Sequence, residues 1–168
     1  MKNLYIDFDG VISDTIDVTY AMLTEAGIDS KDFERTNKFY KNLDWNCVLE
    51  NTPLINNSMD EIKKIIDSKR FDVAILTHVS SQDEAVAKIK FIRQFLDEIT
   101  IIAVPKEVSK TRMVCARDSI LIDDFTKNLD EWSENGGIGI KFSKVNRKTK
   151  YTNITNLSEI LALFIDKC

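Results

Sequence analysis

The sequence predicts an α/β domain: a three-layer, doubly wound, mainly parallel sheet with a small helical cap inserted after the first strand. Three observations predict it. Short apolar runs are bounded by Asp, Gly or Pro, as in strands buried on both faces. Helical patterns separate these runs, and such alternation builds a parallel sheet. One long stretch after the first run carries no strand signal and is too long for a structureless loop in a compact domain.

The elements follow in order. Residues 4–8 form the first run, stopped by Asp9-Gly10. Residues 71–77 (FDVAILT) form the second, and residues 99–104 (ITIIAV) the third, stopped by Pro105. Residues 119–122 (SILI) form the fourth, stopped by Asp123-Asp124; residues 138–142 (IGIKF) follow the turn pair Gly136-Gly137. Between them, Ser58 with Glu61 three residues on predicts a capping box opening a helix that faces inward with Ile62, Ile65 and Ile66. Ala85, Ile89, Ile92 and Leu96 predict a second helix face. Leu157, Ile160, Leu161, Phe164 and Ile165 predict an apolar stripe on a terminal helix.

Residues 16–26 also look helical and end at Gly27; an aromatic-rich, partly helical region follows with Phe33, Phe39, Tyr40, Leu43, Trp45 and Leu49. We read residues 17–57 as the cap and residues 1–16 and 58–168 as the α/β core. The alternative is an ordinary helical layer of the same core. The aromatics fit either a packed core or a surface that stacks a base, the core being the commoner use.

Composition bounds the function. The chain has 168 residues, enough for one domain with its own core. Lys and Arg number 23 against 27 Asp and Glu, a net charge of −4. That disfavours a nucleic-acid polymer as partner, because such binding rests on neutralising phosphates. A small phosphorylated ligand needs only a cation or two. Cys47, Cys115 and Cys168 are odd in number and widely spaced, which suggests reduced thiols and not a disulfide framework or zinc site. No long apolar run or leader is visible, so no membrane partner and a cytoplasmic location are expected.

The chemistry-bearing residues fall at strand ends. Ligands of parallel sheets bind outside the carboxyl ends of strands. Asp7 and Asp9, Thr77, the Lys106/Lys110 segment, and Asp123 and Asp124 all lie at such ends. Gathered carboxylates repel unless a cation offsets them, and Mg²⁺ favours carboxylate and carbonyl oxygens. In this reading Asp7 is both metal ligand and nucleophile. Asp9 is general acid and then general base. Gly10 lets the backbone approach a phosphate. Thr77 donates its hydroxyl to a phosphate oxygen, a lysine offsets charge, and Asp123 and Asp124 complete the metal site. His78 either contacts phosphate or is a polar loop residue. The basic residues of 141–150 either attract a phosphorylated ligand or form a solvated loop. Asp14 and Asp17 fit the N-terminus of a helix.

DFDGVISDT, AILTHVS, the lysine after the third run and SILIDDFTKNL resemble the four motifs of the haloacid dehalogenase superfamily, and within it the 5′(3′)-deoxyribonucleotidase-like branch. The resemblance implies a Mg²⁺-dependent phosphatase that hydrolyses a small phosphomonoester, a nucleotide or other metabolite, through an aspartyl-phosphate on Asp7. By the same resemblance Asp9 is the acid/base and also lends its main-chain carbonyl to the metal. Thr77 binds phosphate. Lys110, followed by Thr111, is preferred to Lys106. Asp124 is the direct ligand, with Asp123 behind it. His78 departs from the small residues usual in that branch. A dehalogenase needs neither the acid at Asp9 nor the acidic pair, and a receiver-like phosphoacceptor places its acidic pair first, not last. A non-enzymatic phosphoacceptor or phosphate-binding module on the same fold is the alternative.

Overall fold

The computed structural model of the chain describes residues 1–164. Six strands form one sheet: β1 Lys2–Ile6, β2 Phe71–Val79, β3 Thr100–Pro105, β4 Ile120–Asp123, β5 Ile138–Phe142 and β6 Thr152–Ile154. Their order is β3-β2-β1-β4-β5-β6, and every pairing is parallel. The chain builds outward from β1 to β3, crosses back to β4, and then builds the other way. The crevice between β1 and β4 is therefore the point where strand order reverses, the usual place for a ligand in such a sheet.

Alternation along the strands makes two cores. Leu4, Ile6, Ile75, Ile120 and Ile122 belong to one cluster, and Leu76, Leu121 and Val104 to the other. The first face is covered by α3 Trp45–Glu50, α4 Ser58–Asp67 and α5 Gln82–Arg93, and the second by α6 Lys110–Met113 and α7 Thr126–Glu134. Trp132 of α7 is fully buried and edges onto Tyr5.

The stretch after β1 holds α1 Thr15–Glu25, α2 Phe33–Lys41 and α3. Its two ends meet: Ile55 N–H donates to Ile12 O at 3.0 Å and Asp14 N–H to Pro53 O at 3.1 Å. The helices are not alike. α2 buries no residue, and Phe33 is exposed; α3 sinks Trp45, Val48 and Leu49 into the core cluster that contains β1. Asp32 and Asp44 cap α2 and α3 by accepting from Arg35 N–H and Cys47 N–H.

Several expectations are corrected. The capping box at Ser58 does not form. Asn57, in the left-handed region at φ 54°, is the cap residue, and Ser58 spends its hydroxyl on Ile12 O at 2.7 Å. Glu61 turns instead to Lys64 and Ser158. The α5 face is also rotated: Ile89 is exposed, while Glu84, Ala87, Lys88 and Ile92 are buried. The terminal stripe forms a 3₁₀ turn, Leu157–Glu159, and α8 Ile160–Leu163, held by Arg70 on the carbonyls of Leu161 and Phe164. Ile165 and Cys168 lie outside the described residues. Strand β6 has no counterpart in the sequence reading.

Candidate active site

Asp7 follows β1 directly, and its N–H still donates to Ile122 O of β4 at 2.9 Å. That bond fixes the backbone at the mouth of the crevice. The chain then turns tightly: Phe8 O accepts from Ile12 N–H at 2.9 Å and Ser13 N–H at 3.1 Å. Gly10 makes the turn possible at φ +72°, and its bare Cα has a second consequence. A Cβ there would lie 2.4 Å from Asp124 Oδ2. The space a side chain at Gly10 would fill is thus taken by the Asp124 carboxylate.

Two buried lysines organise the site, one on each face of the sheet. Lys110, at the start of α6, lies 2.8 Å from Asp7 Oδ1 and 2.7 Å from Asp123 Oδ2. Asp123 also accepts from Phe125 N–H at 2.8 Å and Asn128 Nδ2 at 2.9 Å, so both its oxygens are engaged. Lys106 is elsewhere, with its ammonium 5.1 Å from the Tyr40 ring of α2. It joins the end of β3 to the inserted helices.

The second lysine was not foreseen. Lys88 of α5 has no exposure to solvent. Its Nζ lies 2.6 Å from Asp9 Oδ2, 2.7 Å from Glu84 Oε1, 3.0 Å from His78 O and 3.3 Å from Thr77 Oγ1. The other Asp9 oxygen accepts the Thr15 hydroxyl at 2.6 Å. Thr77 is fully buried, beside Asp9 at 3.4 Å. One sequence signal existed: Glu84 and Lys88 stand four apart on the same helical stripe as Ile92 and Leu96.

His78 takes a part different from the expected phosphate contact. Its Nε2 lies 3.0 Å from Val108 O, in the segment that leads to Lys110. Donation there leaves the other ring nitrogen an acceptor, which an anionic phosphate does not favour. Burial, and next the Lys110 ammonium, hold this imidazole below its usual pKa and hence neutral. The basic segment is largely spent on neighbours. Lys144 pairs with Asp14 and Asp17 at the start of α1, Lys150 with Asp130, and Lys141 with the carbonyl of Asp124.

Asp7, Asp123 and Asp124 each bring an oxygen within 4.8 Å of the others. Lys110 pairs with Asp7 and Asp123, and Lys141 reaches the main-chain carbonyl of Asp124, so three carboxylates face two ammonium groups and negative charge is left to be offset. Burial, opposed by Lys110 and reinforced by Asp123, pushes the Asp7 carboxyl well above its usual range. Burial and then Asp123 push Asp124 up to about 7. Hard oxygen donors, an excess of negative charge and partial burial fit Mg²⁺. Asp124 is the freer of the acidic pair, since Asp123 is fully buried and bonded at both oxygens. The Asp9 carboxylate lies with Lys88, outside this cluster.

No family model matches the chain, and no curated protein matches it. Solved structures do. A haloacid dehalogenase superfamily hydrolase of subfamily IA from Geobacter sulfurreducens superposes with a TM-score of 0.66 at 13% identity, covering 98% of this chain and 100% of the other. A haloacid dehalogenase-like family protein from Streptococcus pneumoniae gives 0.62 at 15%, covering 97% and 98%. The D,D-heptose 1,7-bisphosphate phosphatase of B. bronchiseptica, complexed with magnesium and phosphate, gives 0.58 at 10%, covering both chains fully. At these identities the likeness is one of fold: the chain has the haloacid dehalogenase-like α/β fold. Among the described residues no helix is long and apolar enough to cross a membrane.

Proposed function

We propose that this chain is a Mg²⁺-dependent phosphatase of small phosphomonoesters, with Asp7 as nucleophile. The observation that carries the reading is the placement of Asp7 at the β1/β4 crevice, 2.8 Å from the Lys110 ammonium and within 4.8 Å of Asp123 and Asp124. Asp7, Asp124 and the main-chain carbonyl of Asp9 would hold the metal, with Asp123 behind them. When bound, Mg²⁺ offsets the charge of the carboxylates and of the phosphoryl oxygens.

The chain's own groups do the rest. An Asp7 oxygen attacks phosphorus in line, and the bond to the leaving oxygen breaks. Asp9 gives its proton to that oxygen, which leaves as the alcohol, and Asp9 is left as a carboxylate. It then takes a proton from the water that attacks phosphorus, which frees Asp7 and releases phosphate. Lys110 offsets charge near Asp7, and in this reading the Thr77 hydroxyl, which borders Asp9, would turn to donate to a phosphoryl oxygen.

Residues 17–57 serve as the cap in this reading. The contact of Lys106, which follows β3, with Tyr40 of α2 supports this reading, in which a cap would limit water and select the leaving group. The resemblance to the 5′(3′)-deoxyribonucleotidase-like branch makes 5′-nucleotides and deoxyribonucleotides the first substrates to assay, in the cytoplasmic setting that unpaired Cys47 and Cys115 suit.

The test is release of inorganic phosphate from a panel of monophosphates, with and without Mg²⁺. Hydrolysis that needs Mg²⁺ and vanishes in Asp7→Asn supports the reading. No hydrolysis by folded, Mg²⁺-supplied protein argues for the binding module instead.

A further inference from the structure

We propose that Lys88 is a positioning residue of the reaction, whose buried ammonium holds the Asp9 carboxyl group in one fixed arrangement beside Thr77. The inference rests on the phosphatase reading and adds a residue to its machinery. Lys88 makes no approach to the carboxylate cluster that Lys110 serves; the two lysines act on opposite faces of the sheet.

The geometry sets this lysine apart from an ordinary helix-surface pair. A Glu84–Lys88 pair at i, i+4 is complete by itself when it faces water. Here both partners are buried and point inward, and Nζ reaches past Glu84 to Asp9 at 2.6 Å. An ammonium has three protons. Asp9 Oδ2, Glu84 Oε1 and the His78 carbonyl, at 2.6, 2.7 and 3.0 Å, take them in three directions. The nitrogen therefore cannot rotate freely. Glu84 is anchored in turn by accepting Ser80 N–H at 2.7 Å. Trp45 of α3 and Phe8 lie over Nζ, their rings centred 5.2 and 5.4 Å away. These rings exclude water from the pair, which strengthens its attraction.

Asp9 is thereby held at both oxygens, by Lys88 on one and Thr15 on the other. Its side chain keeps 18% exposure, so the carboxyl is not wholly enclosed by these partners. Proton transfer depends steeply on the placement of the donor. A carboxyl clamped by these partners meets the leaving oxygen without a search over rotamers. The proton passes from Asp9 to that oxygen as the phosphorus–oxygen bond breaks, and Lys88 itself neither gives nor takes one.

The test is the dependence of kcat/KM on the leaving group, measured with 4-nitrophenyl phosphate and phenyl phosphate on wild type and Lys88→Met. The two esters have similar shape, but phenolate departs with far more need of a proton. Misplacing the acid should cost phenyl phosphate about 100-fold and 4-nitrophenyl phosphate less than about tenfold, within the range general acid catalysis supplies. Far-UV circular dichroism and thermal unfolding check that the variant folds. Where Lys88→Met fails to fold, the double variant Glu84→Gln with Lys88→Met removes both buried charges, keeps an acceptor for Ser80 N–H and gives the same comparison. Equal loss on both esters, or no loss on either, overturns the proposal in a folded variant. A wild-type chain inert with Mg²⁺ to both esters and to every other monophosphate of the panel overturns the phosphatase reading itself, and the role of Lys88 with it.

Discussion

The carboxylate of Asp124 occupies the space that a side chain on Gly10 would fill. The distance from an ideal Cβ to Asp124 Oδ2 is 2.4 Å, and Gly10 sits at φ +72°. The Gly of the first motif is therefore tied sterically to an acid of the fourth, across the crevice between β1 and β4.

Gly10→Ala should accordingly displace Asp124 from Asp7. The left-handed backbone alone costs about 1–2 kcal/mol, and the clash adds to it. We expect a lowered melting temperature and weakened Mg²⁺ binding, read by calorimetric titration of the folded variant. Unchanged Mg²⁺ affinity would show that Asp124 takes no part in holding the ion.

Lys110→Met leaves Asp7 and Asp123 buried without their cation. Breaking one side of a buried pair costs about 3–5 kcal/mol, so urea denaturation should show a loss of that order in metal-free protein. Mg²⁺ should recover part of it, because the ion offsets the same carboxylates. Lys106→Ala, at an exposed contact with Tyr40, should cost no more than about 1 kcal/mol. Equal losses in the two variants would remove the distinction between these lysines.

The site should also make the response to Mg²⁺ depend on pH. In the metal-free chain burial and then Asp123 raise Asp124 to about 7, and burial raises Asp7 as well. A carboxyl raised in the folded state holds its proton more tightly there than in the unfolded chain. Its contribution to metal-free stability is therefore full below the unfolded carboxylate range, about 4, and is lost as pH climbs to about 7. The difference in melting temperature between Mg²⁺-loaded and metal-free protein isolates this effect from Glu61. Lys64 and Ser158 lower that carboxyl, so Glu61 loses stability on acidification instead. The difference should widen from about pH 4 to about pH 7. A constant difference across that window contradicts the assignment of the ion to Asp7 and Asp124.

The fold was largely legible because its strands are buried on both faces and so read as bare apolar runs between breakers. Residues 138–142 match β5 at both ends. β6 escaped because Thr152–Ile154 is a three-residue edge strand with one buried residue. The carboxylates were legible because strand ends in a parallel sheet converge. Lys88 was not, because a lysine on a helix reads as solvated unless its partner is known, and its partner Asp9 comes from the first strand's end. Ser58 misled for a similar reason: the hydroxyl that looked like a cap is used on Ile12, far off in sequence. Local signals place elements; the non-local partners of polar side chains decide which of those signals are used.

Borohydride trapping during turnover tests the central claim most directly. With substrate and Mg²⁺ present, an acyl phosphate on Asp7 is reduced to the alcohol, and mass spectrometry of the peptide should find homoserine at position 7. Neither Asp7→Asn nor protein without substrate should carry the change. Steady phosphate release with residue 7 unmodified, or full turnover by Asp7→Asn, would contradict the account.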